Sequence, residues 1–283
     1  MSLRKSTVLV LARLTFLEAS RRWVLWAALL MGIAFLIVYA IGFNEVFKDV
    51  VRSTPSSQTM FTNEVNNFFT VAGLYAVNFL AVIMAVLCSV DTLSGEIASG
   101  TIQTLVSKPV RRWEILMGKW LGFTVMLTLY LLLMAGGVIL IVKLISGYDV
   151  PNTWRGLGLM WLNVILLLSV SLLGGTSLST LANGVLVFGM YGIAFIGGWI
   201  EQIGSFLKSE TAVNIGILSS LIIPSEALWR RAAFEMQTPL ASALGMTPFS
   251  TTSVPSMLMV GYACIYLLVM LGLAIRQFYR RDL

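Results

Sequence analysis

The residues with the most chemistry to offer lie in one stretch of the 283-residue chain, Asp91 to Lys119. It holds Glu96, Gly100 and Thr101, then Leu105 and Lys108-Pro109, then Arg111-Arg112, then Gly118-Lys119. Glu96 can cap backbone N–H groups or pair with a basic residue. Arg111 and Arg112 suit carboxylates and anionic headgroups. None of this is catalysis. The chain has no histidine, which removes His general bases, His zinc ligands and Ser–His dyads. Ser177 follows Gly-Gly-Thr, but no histidine can activate it, and no carboxylate pair inside an apolar run suits an aspartyl mechanism. Met117-Gly118-Lys119-Trp120 lacks the upstream glycine and the following hydroxyl of a phosphate-binding loop. The two cysteines, Cys88 and Cys264, sit in apolar runs. They are too few for a disulfide scaffold or a thiolate zinc site. The chemistry on offer is docking, not turnover.

The elements that must position this stretch are membrane spans. Hydrophobic residues make up 58% of the chain and charged residues 11%, with a mean hydropathy of +0.88. A soluble domain carries about 25% charged residues, so a water-facing shell around one core is excluded, as is disorder. A helix needs about 20 apolar residues to cross the bilayer. Six runs meet this requirement: 23–41, 71–90, 120–142, 157–178, 185–200 and 257–275. None has an Asp, Glu, Lys or Arg in its interior. A seventh run, 213–223, is about half that length and stops at Pro224. It reads as one arm of a re-entrant or interfacial hairpin returning through 226–236. Twelve of the nineteen Lys and Arg residues fall before the first span, between the second and third, or after the sixth. That bias puts both termini in the cytoplasm. The fold expected is therefore an all-α integral membrane domain over 1–283.

Three pieces lie outside the spans on this reading. Residues 1–22 form a basic amphipathic segment on the headgroup surface. Residues 42–70 form short helices capping the first two spans, with a turn at Thr54-Pro55-Ser56-Ser57. Residues 91–119 form two short cytoplasmic helices, broken at Ser107-Lys108-Pro109 and resumed through Trp113 and Met117. A longer external segment, 201–256, carries the hairpin. Gly118-x-x-x-Gly122 permits close helix approach at the base of the third span. The hydroxyls of the fourth span, Ser169 to Thr180, serve packing or a polar route.

The 91–119 stretch resembles the first cytoplasmic loop of ABC-2 type ABC transporter permeases. The matching positions are Glu96, Gly100, Thr101, Leu105, Lys108, Pro109, Arg111 or Arg112, Gly118 and Lys119. Length and loop pattern are similar to the copper-maturation subgroup of these small permeases. The resemblance implies an ABC exporter membrane domain with six helices per half, in the cell's cytoplasmic (inner) membrane. It implies a second permease, identical or homologous, and a separate ATP-binding subunit docked on this loop. Glu96, Gly100, Thr101, Lys108, Pro109, Arg111 and Arg112 would then be the coupling residues. The chain itself would hold no cofactor or metal; ATP and Mg would belong to the partner. No nucleic-acid partner is implied. Two rivals stand beside this reading. A secondary transporter usually keeps ionisable groups within its spans. A passive scaffold has no use for a proline-cornered basic loop. The uncharged spans favour a hydrophobic or amphipathic cargo.

Overall fold

In a computed structural model, residues 7–53, 59–101, 110–240 and 253–281 are described, and their regular secondary structure is all helical. The chain opens with α1 (Thr7–Ser20) and turns at Arg21-Arg22 into α2 (Trp23–Ser53). The second span is α3 (Thr59–Ser89), followed directly by the short α4 (Thr92–Ala98). Next come α5 (Arg112–Ser146) and α6 (Thr153–Gly175), the third and fourth spans. The fifth is α7 (Thr180–Phe206) and the sixth is α10 (Met257–Arg280). Between them lie α8 (Glu210–Ile222) and α9 (Ser225–Met236). Among the described residues, six helices are long and apolar enough to cross a membrane.

The bundle is organised around α6. It packs against α3, α5, α7, α9 and α10. Two-thirds of its apolar window (67%) is buried, against 6% for α2, so α6 is the axis and α2 the outer wall. Between spans, polar pairs fix register, two of them within the core and the third at its outer surface. Asn163 donates to Asn78 at 3.2 Å, Trp120 to Ser169 at 2.9 Å and Trp161 to Thr128 at 2.8 Å. Such bonds average only about 0.6 kcal/mol each within membranes, so close packing carries most of the association.

Four expectations change. First, residues 42–53 and 59–70 are not separate short helices; they continue α2 and α3 beyond the bilayer. Extending a helix costs no new nucleus, and Phe43 stacks on Tyr39 and Phe47 and meets Phe69 edge-on. The turn at Thr54–Ser57 lies outside the described residues. Second, residues 112–119 are not a short helix of their own but the first turns of α5, because no breaker separates them from the third span. Third, α1 does not merely lie on a headgroup surface: it crosses α5, with Thr15 and Ala19 buried and Leu9 and Leu14 exposed. Fourth, the spanning helices run past the uncharged apolar runs and bring charge with them. Lys119 lies in α5 and Glu201 in α7, both buried. Short hydropathy windows place them outside, whereas the helices run past those limits.

Helices α8 and α9 form a sharply bent pair between the fifth and sixth spans. Helix α8 stops where Ile223 goes extended (φ −149°, ψ 117°), the conformation a following proline favours. Then α9 leaves at 108° to it. Helix α8 returns along α7, with Gly197 receiving Ser219 and Gly204 receiving Ala212. The end of α9 comes back to the level of the α5–α6 loop. There Asn67 donates to the Met236 carbonyl at 2.9 Å and to Tyr148 Oη at 3.0 Å. Beyond it, Thr238 donates to the Glu64 carboxylate. Helix α8 sets out from that same end of the bundle, so the bent pair starts and finishes there. Arg230 anchors it by donating to Glu201 at 2.7 Å, with both side chains 4% exposed and Ser253 donating to the other carboxylate oxygen at 2.6 Å.

Candidate functional site

The basic end of the bundle gathers the residues singled out in sequence. After α3 the chain turns at Asp91, and α4 folds against the foot of α6, where Leu93 is fully buried beside Gly175. Polar contacts hold this corner on several sides. Thr180, at the start of α7, donates to Asp91 Oδ1 at 2.9 Å and shares a 3.0 Å hydrogen bond with Ser94. Asn183 Nδ2 donates to the Val90 and Ser171 carbonyls at 3.2 and 2.9 Å. Arg22 stands 4.0 Å from Asp91 Oδ2 and 2.9 Å from Glu18.

Glu96 does not point at open solvent. Its Oε1 accepts from Lys119 Nζ of α5, and the two side chains are 16% and 7% exposed. Glu96 Oε2 is buried with no hydrogen-bond partner. One face of α4 is thus tied by charge to α5, while Ala98 and Ser99 are exposed on the other. The helix ends at Ser99, and Gly100 adopts φ +72° with open space around it. A side chain there would be strained by the left-handed backbone, not by neighbours. Thr101 follows within hydrogen-bonding reach of Ser99. Lys108 and Pro109, and the helix and corner expected around Thr104 and Leu105, lie outside the described residues.

The two arginines part company. Arg111 is exposed and precedes α5, its N–H donating to the Glu114 carboxylate at 2.9 Å. Arg112 turns inward to the last turn of α10 and donates to the carbonyls of Tyr279 (3.1 Å) and Arg281 (2.6 Å). It thereby caps a helix end whose carbonyls lack intrahelical donors. Gly118 and Gly122 mark the crossing of α1 and α5. A Cβ on Gly118 would run into Leu11, and one on Gly122 would come within 2.7 Å of the Ala12 carbonyl oxygen. The loop, the N-terminal helix and the feet of five spans therefore form one assembly. Asp91, Arg22 and Asn183 were not singled out by sequence reasoning, and Thr180 was read only among the hydroxyls of the fourth span, since their partners lie 69 to 93 residues away or across a helix pair. Charge at a predicted span end was the only available signal.

The bundle and its helical basic end define a multi-pass membrane protein whose inter-span loop is built into the transmembrane core. A family model described as "ABC-2 family transporter protein" matches residues 9–283. The chain belongs to that family: it is a permease, the membrane subunit of an ABC transporter. Membership implies association with an ATP-binding subunit, with ATPase activity in that separate chain. The match does not select the copper-maturation subgroup. No curated protein matches the chain.

Proposed function

We propose that this permease is half of an ATP-driven exporter in the cytoplasmic (inner) membrane, paired with a second, identical or homologous permease. Its basic end faces the cytoplasm, in accord with the positive-inside bias. The cargo is hydrophobic or amphipathic, a reading supported by the apolar spans. ATP and Mg act in the partner, and this chain contributes no cofactor of its own. The partner docks on the rim from Ser99 through Thr101, Lys108 and Pro109 to Arg111. The observation that carries this reading is the double attachment of α4, through Glu96 to Lys119 of α5 and through Asp91 and Ser94 to Thr180 of α7. A push on the rim then reaches two spans, α5 through a buried ion pair and α7 through hydroxyl and carboxylate contacts at its start. Glu96 acts as a positioning residue, transmitting the push without touching the ATPase.

The test is purification of the tagged chain from its native membranes, with Mg-dependent ATP hydrolysis assayed in the eluate. The wild type is expected to retain a hydrolysing subunit. A Ser99→Trp variant, with its bulk on the exposed side of the loop, is expected to lose it while its membrane abundance is unchanged. Retention of the subunit by a chain whose residues 99–111 are replaced with a Gly-Ser linker would overturn the docking assignment.

A further inference from the structure

Four arginines surround the basic end of α10, and they fall into two classes. Arg112 and Arg281 tie helix ends together: Arg112 donates to the carbonyls closing α10, and Arg281 donates to the Thr176 carbonyl below α6. Arg276 and Arg280 do neither. Both are exposed, and no described carboxylate pairs with either. They are four residues apart on a helix, so their side chains leave the same face.

These two guanidinium groups stand between two apolar hollows. One, of about 630 Å³, lies between α6, α7 and α10; Leu173, Leu186, Met190 and Leu273 are among its walls. The other, of about 450 Å³, lies across α10 and is bounded by Trp113, Ile275 and Tyr279. Arg276 and Arg280 line both. Gly272 opens the second hollow, since a Cβ there would meet nothing within 4 Å. Trp113, 41% exposed at the start of α5, suits the headgroup level of a bilayer.

We propose that this end of α10 binds an anionic phospholipid of the adjacent leaflet, its phosphate held by Arg276 and Arg280 and its two acyl chains straddling α10. Paired guanidinium forks match phosphate oxygens. Long arginine stems lie along apolar walls while their heads reach the interface. A soluble anion would leave both hollows unfilled, and an acidic protein segment would cover one side of α10 only. Two chains joined at one charged head fit both. The site depends on the membrane placement of the bundle and is independent of the loop's coupling role.

The experiment uses the purified full-length chain in mixed micelles. Phosphatidylglycerol or phosphatidylcholine with brominated acyl chains is added at low mole fraction. Quenching of Trp113 is taken as the difference between the wild type and Trp113→Phe. A juxtamembrane basic residue contributes about a fivefold preference for anionic lipid, so two should give roughly five- to thirtyfold tighter binding of phosphatidylglycerol. The R276Q/R280Q double variant should bring the two lipids close to parity. Arg52→Gln with Lys48→Gln, the same loss of two charges at the opposite end, should keep the preference. Equal quenching by both lipids in the wild type overturns the proposal, whether or not the double variant folds. So does a preference that survives R276Q/R280Q.

Discussion

Breaking the Glu96–Lys119 pair from one side should release α4 from α5 without disturbing any span. The two side chains are 16% and 7% exposed, so water screens the pair weakly. Removing one member leaves the other charge buried, which costs about 2–5 kcal/mol. Glu96→Gln strands an ammonium, and Lys119→Met strands a carboxylate that already has one oxygen without a partner. A local loss of 2–4 kcal/mol raises the open population of α4 by roughly thirty- to a thousandfold. Hydrogen exchange at the α4 amides reads this directly, with those of α6 as the internal reference. The E96Q/K119M double variant removes both charges and should recover much of the protection, giving a coupling energy of at least about 2 kcal/mol in the double-mutant cycle. Unchanged α4 exchange in both single variants, or strictly additive effects in the double, would refute the view that this ion pair locks the loop to the core.

Two further outcomes follow from the same geometry. Gly122→Ala places a methyl group 2.7 Å from the Ala12 carbonyl oxygen, an overpacking worth about 1–3 kcal/mol. It should increase tryptic cleavage at Arg21-Arg22 at least severalfold, while Gly136→Ala, which meets nothing within 4 Å, should leave cleavage unchanged; equal cleavage in the two would remove α1 from the assembly. In a background with Cys88 and the lipid-exposed Cys264 replaced, cysteines at Glu210 and Pro239 should both react with an impermeant thiol reagent from outside, and one at Ser99 only after permeabilisation. Labelling of the first two from opposite faces would make the hairpin a seventh span.

The class of protein was legible from the chain alone because membrane insertion is a composition constraint. A run of apolar residues long enough to cross is visible without knowing any neighbour. The six spans, the shortness of 213–223 and the stop at Pro224 all came from such local arithmetic. So did the loop at 91–119, whose Gly, Pro and charge pattern carried the family resemblance. Span ends were misread because hydropathy marks where a helix meets water, not where it stops: Lys119 and Glu201 stay helical and buried because each finds an opposite charge on another helix. Partner choice likewise required the folded chain. Glu96 read as a free contact in sequence, and only the fold sets Lys119 across from it, 23 residues on. Gly118 and Gly122 announced a close approach, but not that α1 would make it. Arg111 and Arg112 are adjacent and chemically alike, yet one faces solvent and the other closes α10. Arg111 is extended whereas Arg112 opens α5, so their side chains diverge, and tertiary packing alone determines which of them meets a neighbouring helix.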